Sequence, residues 1–169
     1  MYESSWNNVS RAEDSLWKIF AAYTALFAGL GLAIDTIGDF GFLFVMTIFS
    51  FAGICSSLTA NGWFVRNMGI ISNIEKEFLG FNENEVIPKE WMENKVSFFK
   101  IENWWIIVVL FFIIIVAIHI IMMDKISEQD KVIQIVLDVS GVIFVVIYGI
   151  YLQKKHNNFV ENAKGKDIP

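Results

Sequence analysis

Four long runs of apolar residues, separated by polar segments, dominate the pattern along the chain. They cover residues 16–34, 40–60, 104–123 and 132–152. A bilayer core about 30 Å thick needs roughly 20 apolar residues in a helix, whereas a barrel strand needs only about 10. A helix also satisfies each backbone amide without water. The pattern therefore predicts an all-α polytopic membrane protein with four transmembrane helices.

The polar segments between the runs predict how the chain is oriented. Residues 35–39 and 124–131 are short, so we expect runs one and two, and runs three and four, to form antiparallel hairpins. The remaining polar segments are the tails, 1–15 and 153–169, and an insert, 61–103. Together with Lys18 at the start of the first run, they hold eleven of the thirteen Lys and Arg residues. Positively charged residues are enriched in cytoplasmic segments of membrane proteins, which predicts that both termini and the insert are cytoplasmic.

Composition agrees with a bilayer environment and excludes several functions. The chain is 55% hydrophobic and 18% charged, with sixteen Phe and six Trp. Its formal net charge of −5 gives no basic field for duplex DNA. The one cysteine, Cys55, rules out a thiolate metal site. The sequence has no P-loop and no Ser–His–Asp or Cys–His arrangement, so we expect no enzyme and no cofactor or metal.

Asp138 is the most informative residue, because an ionised carboxylate inside a span usually faces protein or water. A polar stripe on the fourth run shares its helical spacing: Gln134, Asp138, Gly141 and Tyr148. Such a stripe forms a pore wall if several copies meet around an axis. Alternatively, Asp138 bonds another helix or reaches outer water. A hairpin could also bring His119 to Asp138, although a lone membrane histidine more often serves packing, and we assign it no catalytic role.

The predicted outer face is acidic. Its acids are Asp35, Asp39, Asp124, Glu128 and Asp130. In a ring of subunits these carboxylates would concentrate cations at the mouth of a pore. In a monomer they would be ordinary solvated turns.

The insert 61–103 begins with apolar residues at helical spacing, Ile70, Ile71, Ile74 and Phe78. This predicts that the second span continues as a helix to about Leu79. One interpretation is an amphipathic helix packed under the bundle or on lipid. The other is a platform for a ligand or partner, with aromatic rings for stacking and cations for phosphates. Its candidate residues are Trp63, Arg66, Lys76, Lys89, Trp91, Lys95 and Lys100.

The insert also resembles a family of small bacterial four-span membrane proteins. The resemblance consists of Trp63 and Arg66, Glu75 and Leu79 in a Glu-x-x-x-Leu element, a Glu-Trp pair at 90–91, and Phe99 with Glu102. Similar proteins act in anti-phage defence. One is the Hailong channel, an oligomer controlled by an oligonucleotide, and another is the Kiwa membrane subunit. The resemblance implies a homo-tetrameric effector controlled by a nucleotidyltransferase product.

Two hypotheses follow for function. The first is a homo-oligomeric inner-membrane channel that depolarises the membrane when a cytoplasmic nucleotide or oligonucleotide signal changes. The second is a non-conducting sensor or scaffold that recruits a soluble partner through the insert. A transporter subunit is a third possibility with less support. The expected partners are the lipid bilayer and other copies of the chain.

Overall fold

In the computed structural model, which describes residues 2–78 and 103–163, the chain forms four α-helices. They are α1 (Tyr2–Leu32), α2 (Ile34–Phe78), α3 (Asn103–Met123) and α4 (Glu128–Ala163). By length and composition, α1, α2 and α4 are able to cross a membrane. The all-helical prediction is confirmed, and the three apolar helices agree with a membrane protein.

The passage from α1 to α2 is nearly continuous helix. Backbone amides of Thr36 and Ile37 donate to the carbonyl of Ala33 at 2.9 and 3.1 Å. The break comes at Gly38, where φ is 73° and ψ is 163°. A residue with a Cβ atom is strained at these angles, so glycine suits the position. Most of the predicted connection 35–39 is therefore helical, and the direction of α2 is set at Gly38.

α2 is much longer than a membrane span requires. It has 45 residues, against the roughly 20 that cross the hydrocarbon core. The prediction that the second span continues as a helix to about Leu79 is confirmed, since α2 ends at Phe78. No proline interrupts residues 34–78, and proline is the residue that most often ends a helix.

α3 and α4 are joined by a tight turn whose polar groups are satisfied locally. The amide of Lys125 donates to the carbonyl of Met122 at 3.0 Å. Ser127 caps α4: its hydroxyl accepts the amide of Asp130 at 3.2 Å and donates to the Asp130 carboxylate at 2.6 Å. The described apolar stretch of α3, Ile113–Met123, is shorter than a span. The fourth span and the hairpins stay predictions.

The described residues form two compact units. One contains residues 17–56 and 103–148, and we call it the apolar unit. Its core combines residues of α2 and α3 with Ile126 of the turn: Phe42, Leu43, Met46, Ile115, Met122 and Ile126. In the 18-residue stretch of each helix that is most apolar by mean hydropathy, the buried share is 44% for α2 but only 6% for α1 and for α4. Most of the apolar surface of α1 and α4 is therefore left for lipid or another chain.

Small residues bring helices of the apolar unit close together. A Cβ atom at Gly141 would lie 1.9 Å from the Phe51 ring, and one at Gly53 would lie 3.1 Å from Tyr23. These contacts join α4 and α1, respectively, to α2. At Gly29, by contrast, a Cβ atom would meet no neighbour within 4 Å. A glycine in an apolar helix therefore does not by itself mark a contact between helices.

The second unit contains residues 2–16, 57–78 and 149–163, and we call it the polar unit. Its buried apolar contacts include Val9 of α1 with Val65 and Ile71 of α2. Its core also holds polar side chains: Ser5, Ser57, Asn61, Asn67, Glu75 and His156. The phenol of Tyr2 donates to the Glu75 carboxylate, and the Asn8 amide donates to Asn67 at 3.4 Å. Tertiary contacts thus hold the polar start of α1 in helical form.

Candidate functional site

An ionisable pair lies among the apolar helices. His119 stands one turn before the end of α3, and Asp138 stands nearly three turns into α4. The Nε2 atom of His119 lies 2.9 Å from Oδ2 of Asp138. The sequence left open whether these residues pair, and in the structure they are in contact. Their side chains are 15% and 32% exposed, respectively, so Asp138 is the more accessible partner.

Gln134 and Thr47 complete a cluster of four polar side chains, which we call the polar cluster. Gln134 is fully buried, one turn before Asp138. Its amide nitrogen donates to Oδ1 of Asp138 at 3.1 Å and to Oγ1 of Thr47 at 2.8 Å. The Thr47 oxygen also lies 3.3 Å from Oδ1 of Asp138 and 3.4 Å from Nδ1 of His119. Three helices, α2, α3 and α4, therefore contribute to one hydrogen-bonded network.

The surroundings of the polar cluster are apolar. Leu43 and Met46 precede Thr47 on α2, and Ile115 and Met122 flank His119 on α3. All four are at least 90% buried. Hydrogen bonds and charges interact more strongly in such a low-dielectric environment than in water. The same environment penalises a polar atom that has no partner.

One atom of the polar cluster has no partner. The Oε1 atom of Gln134 is buried and accepts no hydrogen bond from the described residues. An unsatisfied group of this kind costs about 1–3 kcal/mol. Exchanging the amide oxygen and nitrogen would set the oxygen against the Asp138 carboxylate, so the observed orientation is the better one. The cluster therefore retains one free acceptor at a position that stability alone does not favour.

The predicted polar stripe of α4 faces α2 within the chain. Gln134 and Asp138 contact Thr47, and Gly141 lies against Phe51. The remaining member, Tyr148, stacks on the Phe144 ring with centroids 6.2 Å apart. The exposed surface of α4 is apolar instead: Val132, Val136, Val139, Ile143, Ile147 and Ile150. That the stripe lines a pore between copies stays a prediction.

The predicted outer acids are dispersed over the two turns. Asp35 and Asp124 are exposed, and Asp39 is partly buried. Glu128 accepts a hydrogen bond from Lys131 at 2.8 Å, and Asp130 bonds Ser127 as part of the helix cap. Local contacts account for Glu128 and Asp130. A cation-attracting ring stays a prediction.

Two predicted ligand-platform residues lie together on α2. The guanidinium carbon of Arg66 lies 5.4 Å from the centre of the Trp63 ring, and Trp63 is 54% exposed. This distance is typical of a cation–π contact. The other candidates lie outside the side chains that the structure describes: Lys76, Lys89, Trp91, Lys95 and Lys100.

Thr47 is the site residue that sequence reasoning missed. A threonine in an apolar helix commonly bonds its own backbone, as Thr24 does with the Phe20 carbonyl at 2.8 Å. Nothing in the sequence distinguishes Thr47 from Thr24. The distinguishing fact is that Thr47 lies on the side of α2 that meets His119 and Asp138.

The polar cluster provides groups for binding and moving a proton or a small polar species. It contains one acid–base pair, one hydroxyl and one amide. Among the described residues, no group of three or more His, Cys, Asp and Glu side chains is placed to bind a metal ion. Intramembrane acid–histidine pairs occur in proton relays and ion pathways. No protein-family model, curated protein or solved structure matches the chain.

Proposed function

We propose that the protein is a homo-oligomeric ion channel of the bacterial inner membrane, with the polar cluster in its conducting path. The observation that carries this proposal is the His119–Asp138 contact, 2.9 Å long, within apolar helices. A charged residue in a membrane helix costs free energy, about 2.5–3.5 kcal/mol at the helix centre on insertion scales. The two groups join α3 to α4, which an uncharged hydrogen-bonded pair could do without this cost, and ion movement accounts for their charge.

The proposed topology has four spans, with α3 as the fourth membrane-crossing helix. α3 has 21 residues, close to the roughly 20 that a bilayer requires. The distribution of Lys and Arg residues supports a cytoplasmic location for both termini and the insert 61–103. In this arrangement α2 and α4 continue into the cytoplasm beyond the bilayer.

Assembly into a ring is the part of the proposal that concerns α1 and α4. Only 6% of the apolar window of each helix is buried within one chain. Lipid covers part of this surface, and neighbouring copies cover the rest. A ring, which we propose to be a tetramer, would also bring the outer acids of several copies together at one mouth.

Control by a cytoplasmic signal is proposed to act through α2. This helix carries Thr47 in the polar cluster and Trp63 and Arg66 beyond the predicted span. A nucleotide or oligonucleotide bound at Trp63 and Arg66 would favour the open channel only if it bound open and closed states with different affinities. A role in anti-phage defence rests on the resemblance of the insert alone.

Ion flux from proteoliposomes tests the channel. We expect purified protein to release a trapped ion gradient, and Asp138→Asn to reduce this flux by at least about tenfold, equivalent to about 1.4 kcal/mol in a barrier. The matched control is Asp14→Asn, since Asp14 is an exposed acid outside the predicted spans. The absence of flux at every protein density would refute the channel. Unchanged flux in Asp138→Asn would remove the cluster from the path.

The exposed Trp63–Arg66 pair also favours the scaffold hypothesis. A partly exposed tryptophan capped by an arginine is typical of an interaction surface. In this alternative, the cytoplasmic helix recruits a soluble partner and the membrane helices serve as an anchor. It predicts a stable complex that Trp63→Ala weakens, together with no ion current.

A further inference from the structure

We infer that the polar cluster takes up and releases a single proton, so that the ion carried by the channel is the proton and not an alkali cation. The inference depends on the proposed function for its consequence in transport. Its basis is the number of hydrogens and acceptors in the cluster. Proton binding by the cluster can also be measured without any ion flux.

The short contact between His119 and Asp138 requires one hydrogen. Nε2 of the imidazole and Oδ2 of the carboxylate are 2.9 Å apart. Without a hydrogen between them, two acceptors would face each other at hydrogen-bonding distance. The hydrogen therefore lies on Nε2 or on Oδ2, and either position completes this contact.

The contacts of Thr47 depend on whether the other imidazole nitrogen, Nδ1, carries a hydrogen. Its hydroxyl lies 3.4 Å from Nδ1 of His119 and 3.3 Å from Oδ1 of Asp138, but it carries only one hydrogen. If Nδ1 has no hydrogen, both atoms compete for the Thr47 hydrogen and one contact is lost. With only one labile hydrogen on the pair, the network of the cluster is incomplete.

One additional proton completes the network. With hydrogens on both ring nitrogens, Nδ1 donates to Thr47, and Thr47 donates to Oδ1 of Asp138. The Thr47 oxygen has two lone pairs, which accept Nδ1 and the Gln134 amide, the latter at 2.8 Å. The two states differ by one hydrogen and by the direction of the Thr47 hydroxyl, so the cluster can load and unload without moving a helix.

An alkali cation does not fit the same atoms. Both carboxylate oxygens of Asp138 already face donors, at 2.9 Å on one side and 3.1 Å on the other. The Thr47 oxygen accepts the Gln134 amide. This leaves Oε1 of Gln134 as the one unpartnered side-chain oxygen of the cluster. A desolvated cation needs several oxygen ligands at once, as in a selectivity filter.

The titratable groups that face each other in the cluster are His119 and Asp138. Their hydrogen-bonding neighbours within the described part of the chain are Thr47 of α2 and Gln134 of α4, and neither carries a charge. Leu43, Met46, Ile115 and Met122, which lie within about one helical turn of Thr47 or His119 in the sequence, are apolar and buried. Uptake and release of the proton therefore depend on the pair and not on a third charge.

The proton enters at Asp138, the more accessible partner, whose side chain is 32% exposed against 15% for His119. A hydronium ion transfers its proton to Oδ1 of the carboxylate: one O–H bond forms as one breaks, and water leaves. The Oδ1 hydrogen then passes to the Thr47 oxygen as the Thr47 hydroxyl hydrogen passes to Nδ1, and the hydrogen on Nε2 stays in place. Release reverses these steps, so each cycle moves one elementary charge and requires no oxidant or reductant.

The transport test measures which gradient sets the current across a planar bilayer. We expect the reversal potential to follow the pH difference and to be indifferent to Na⁺ and K⁺ gradients. Thr47→Val removes the hydroxyl at nearly constant volume, and we expect at least a tenfold lower proton current. The matched control is Thr24→Val, in which the lost hydroxyl bonds only the Phe20 carbonyl. A current that follows Na⁺ or K⁺ would overturn the inference and leave the channel intact.

The equilibrium test uses nitrogen NMR of the imidazoles in bilayers, with His156→Gln to leave His119 as the single histidine. We expect His119 to gain a hydrogen at Nδ1 as the pH falls, because this hydrogen completes the contact with Thr47, and we expect Thr47→Val to change this protonation where Thr24→Val does not. If the protein carries no ion current but Thr47→Val changes the protonation of His119, the channel proposal is refuted and the proton site is supported. A titration unaffected by Thr47→Val would overturn the proton site itself.

Discussion

The apolar unit and the polar unit both bury polar side chains, but in different arrangements. In the polar unit, Tyr2 bonds Glu75 and Asn8 bonds Asn67. In the apolar unit four side chains from three helices share one network, which includes a histidine and a carboxylate. The feature that distinguishes the polar cluster is therefore the ionisable pair with its movable proton, and not the presence of buried hydrogen bonds.

The comparison leads to opposite expectations for mutation in the two units. Polar contacts of the polar unit should stabilise the protein without affecting ion flux. The polar cluster should be required for flux while contributing little to stability, or even reducing it. Three variants test this contrast and the packing of the apolar unit, and their expected effects decrease from the first to the third.

The largest effect is expected from a double variant, His119→Leu together with Asp138→Leu, which removes both members of the ionisable pair. We expect ion flux to disappear and the unfolding free energy to be unchanged or higher by about 1–4 kcal/mol, because apolar replacements of buried ion pairs are often stabilising. Flux from proteoliposomes and unfolding in detergent measure the two quantities. A double variant that fails to fold would show that the pair is structural and would break the comparison.

Gly141→Val is expected to have the next largest effect, on stability. A Cβ atom at position 141 would lie 1.9 Å from the Phe51 ring, so the ring or α4 must move. Overpacking of this kind costs about 1–3 kcal/mol, which unfolding in detergent can measure. Gly31→Val is the control, since a Cβ atom there meets nothing within 4 Å. Equal stability of the two variants would contradict the close approach of α4 to α2.

Tyr2→Phe is expected to have the smallest effect, a loss of about 1 kcal/mol in stability, with flux unchanged. The hydrogen bond to Glu75 raises the pKa of the Tyr2 phenol above 10.0. Because the pKa of the phenol is raised in the folded protein, the stabilisation by this hydrogen bond is fully present below about pH 10. It is lost as the pH rises through the pKa of the folded state. Unfolding at neutral and high pH measures this, with Tyr23→Phe as the hydroxyl-removal control. Reduced flux in Tyr2→Phe would break the contrast between the units.

Much of the fold could be predicted because membrane helices have a strong sequence signal. The continuation of α2 to Phe78 followed from the spacing of isoleucines and from the absence of proline between residues 34 and 78. The start of α1 at Tyr2 did not follow, because its polar residues become helical through contacts such as Val9 with Val65. The break at Gly38 lies within the predicted connection 35–39, but the helical form of most of that connection was not predicted, because a short polar segment between two apolar runs indicates a turn.

The candidate site could be predicted only in part. The distances of His119 and Asp138 to the turn at residues 124–127 made their contact possible, but the sequence did not decide whether they pair. Thr47 was not predicted, because its role depends on which side of α2 faces α3 and α4, and the sequence of one helix does not contain that information. The pore-lining role of Gln134, Asp138, Gly141 and Tyr148 stays a prediction, because contacts within one chain, which place the first three against α2, do not show what lies between copies.

The most direct test of the central claim is the electrical conductance of a lipid bilayer that contains only this purified protein. The ionisable pair of the polar cluster predicts a conductance that rises with protein density and is lost when the Asp138 carboxylate becomes an amide. A bilayer that stays insulating at every density, or one that conducts equally well without this carboxylate, would contradict it.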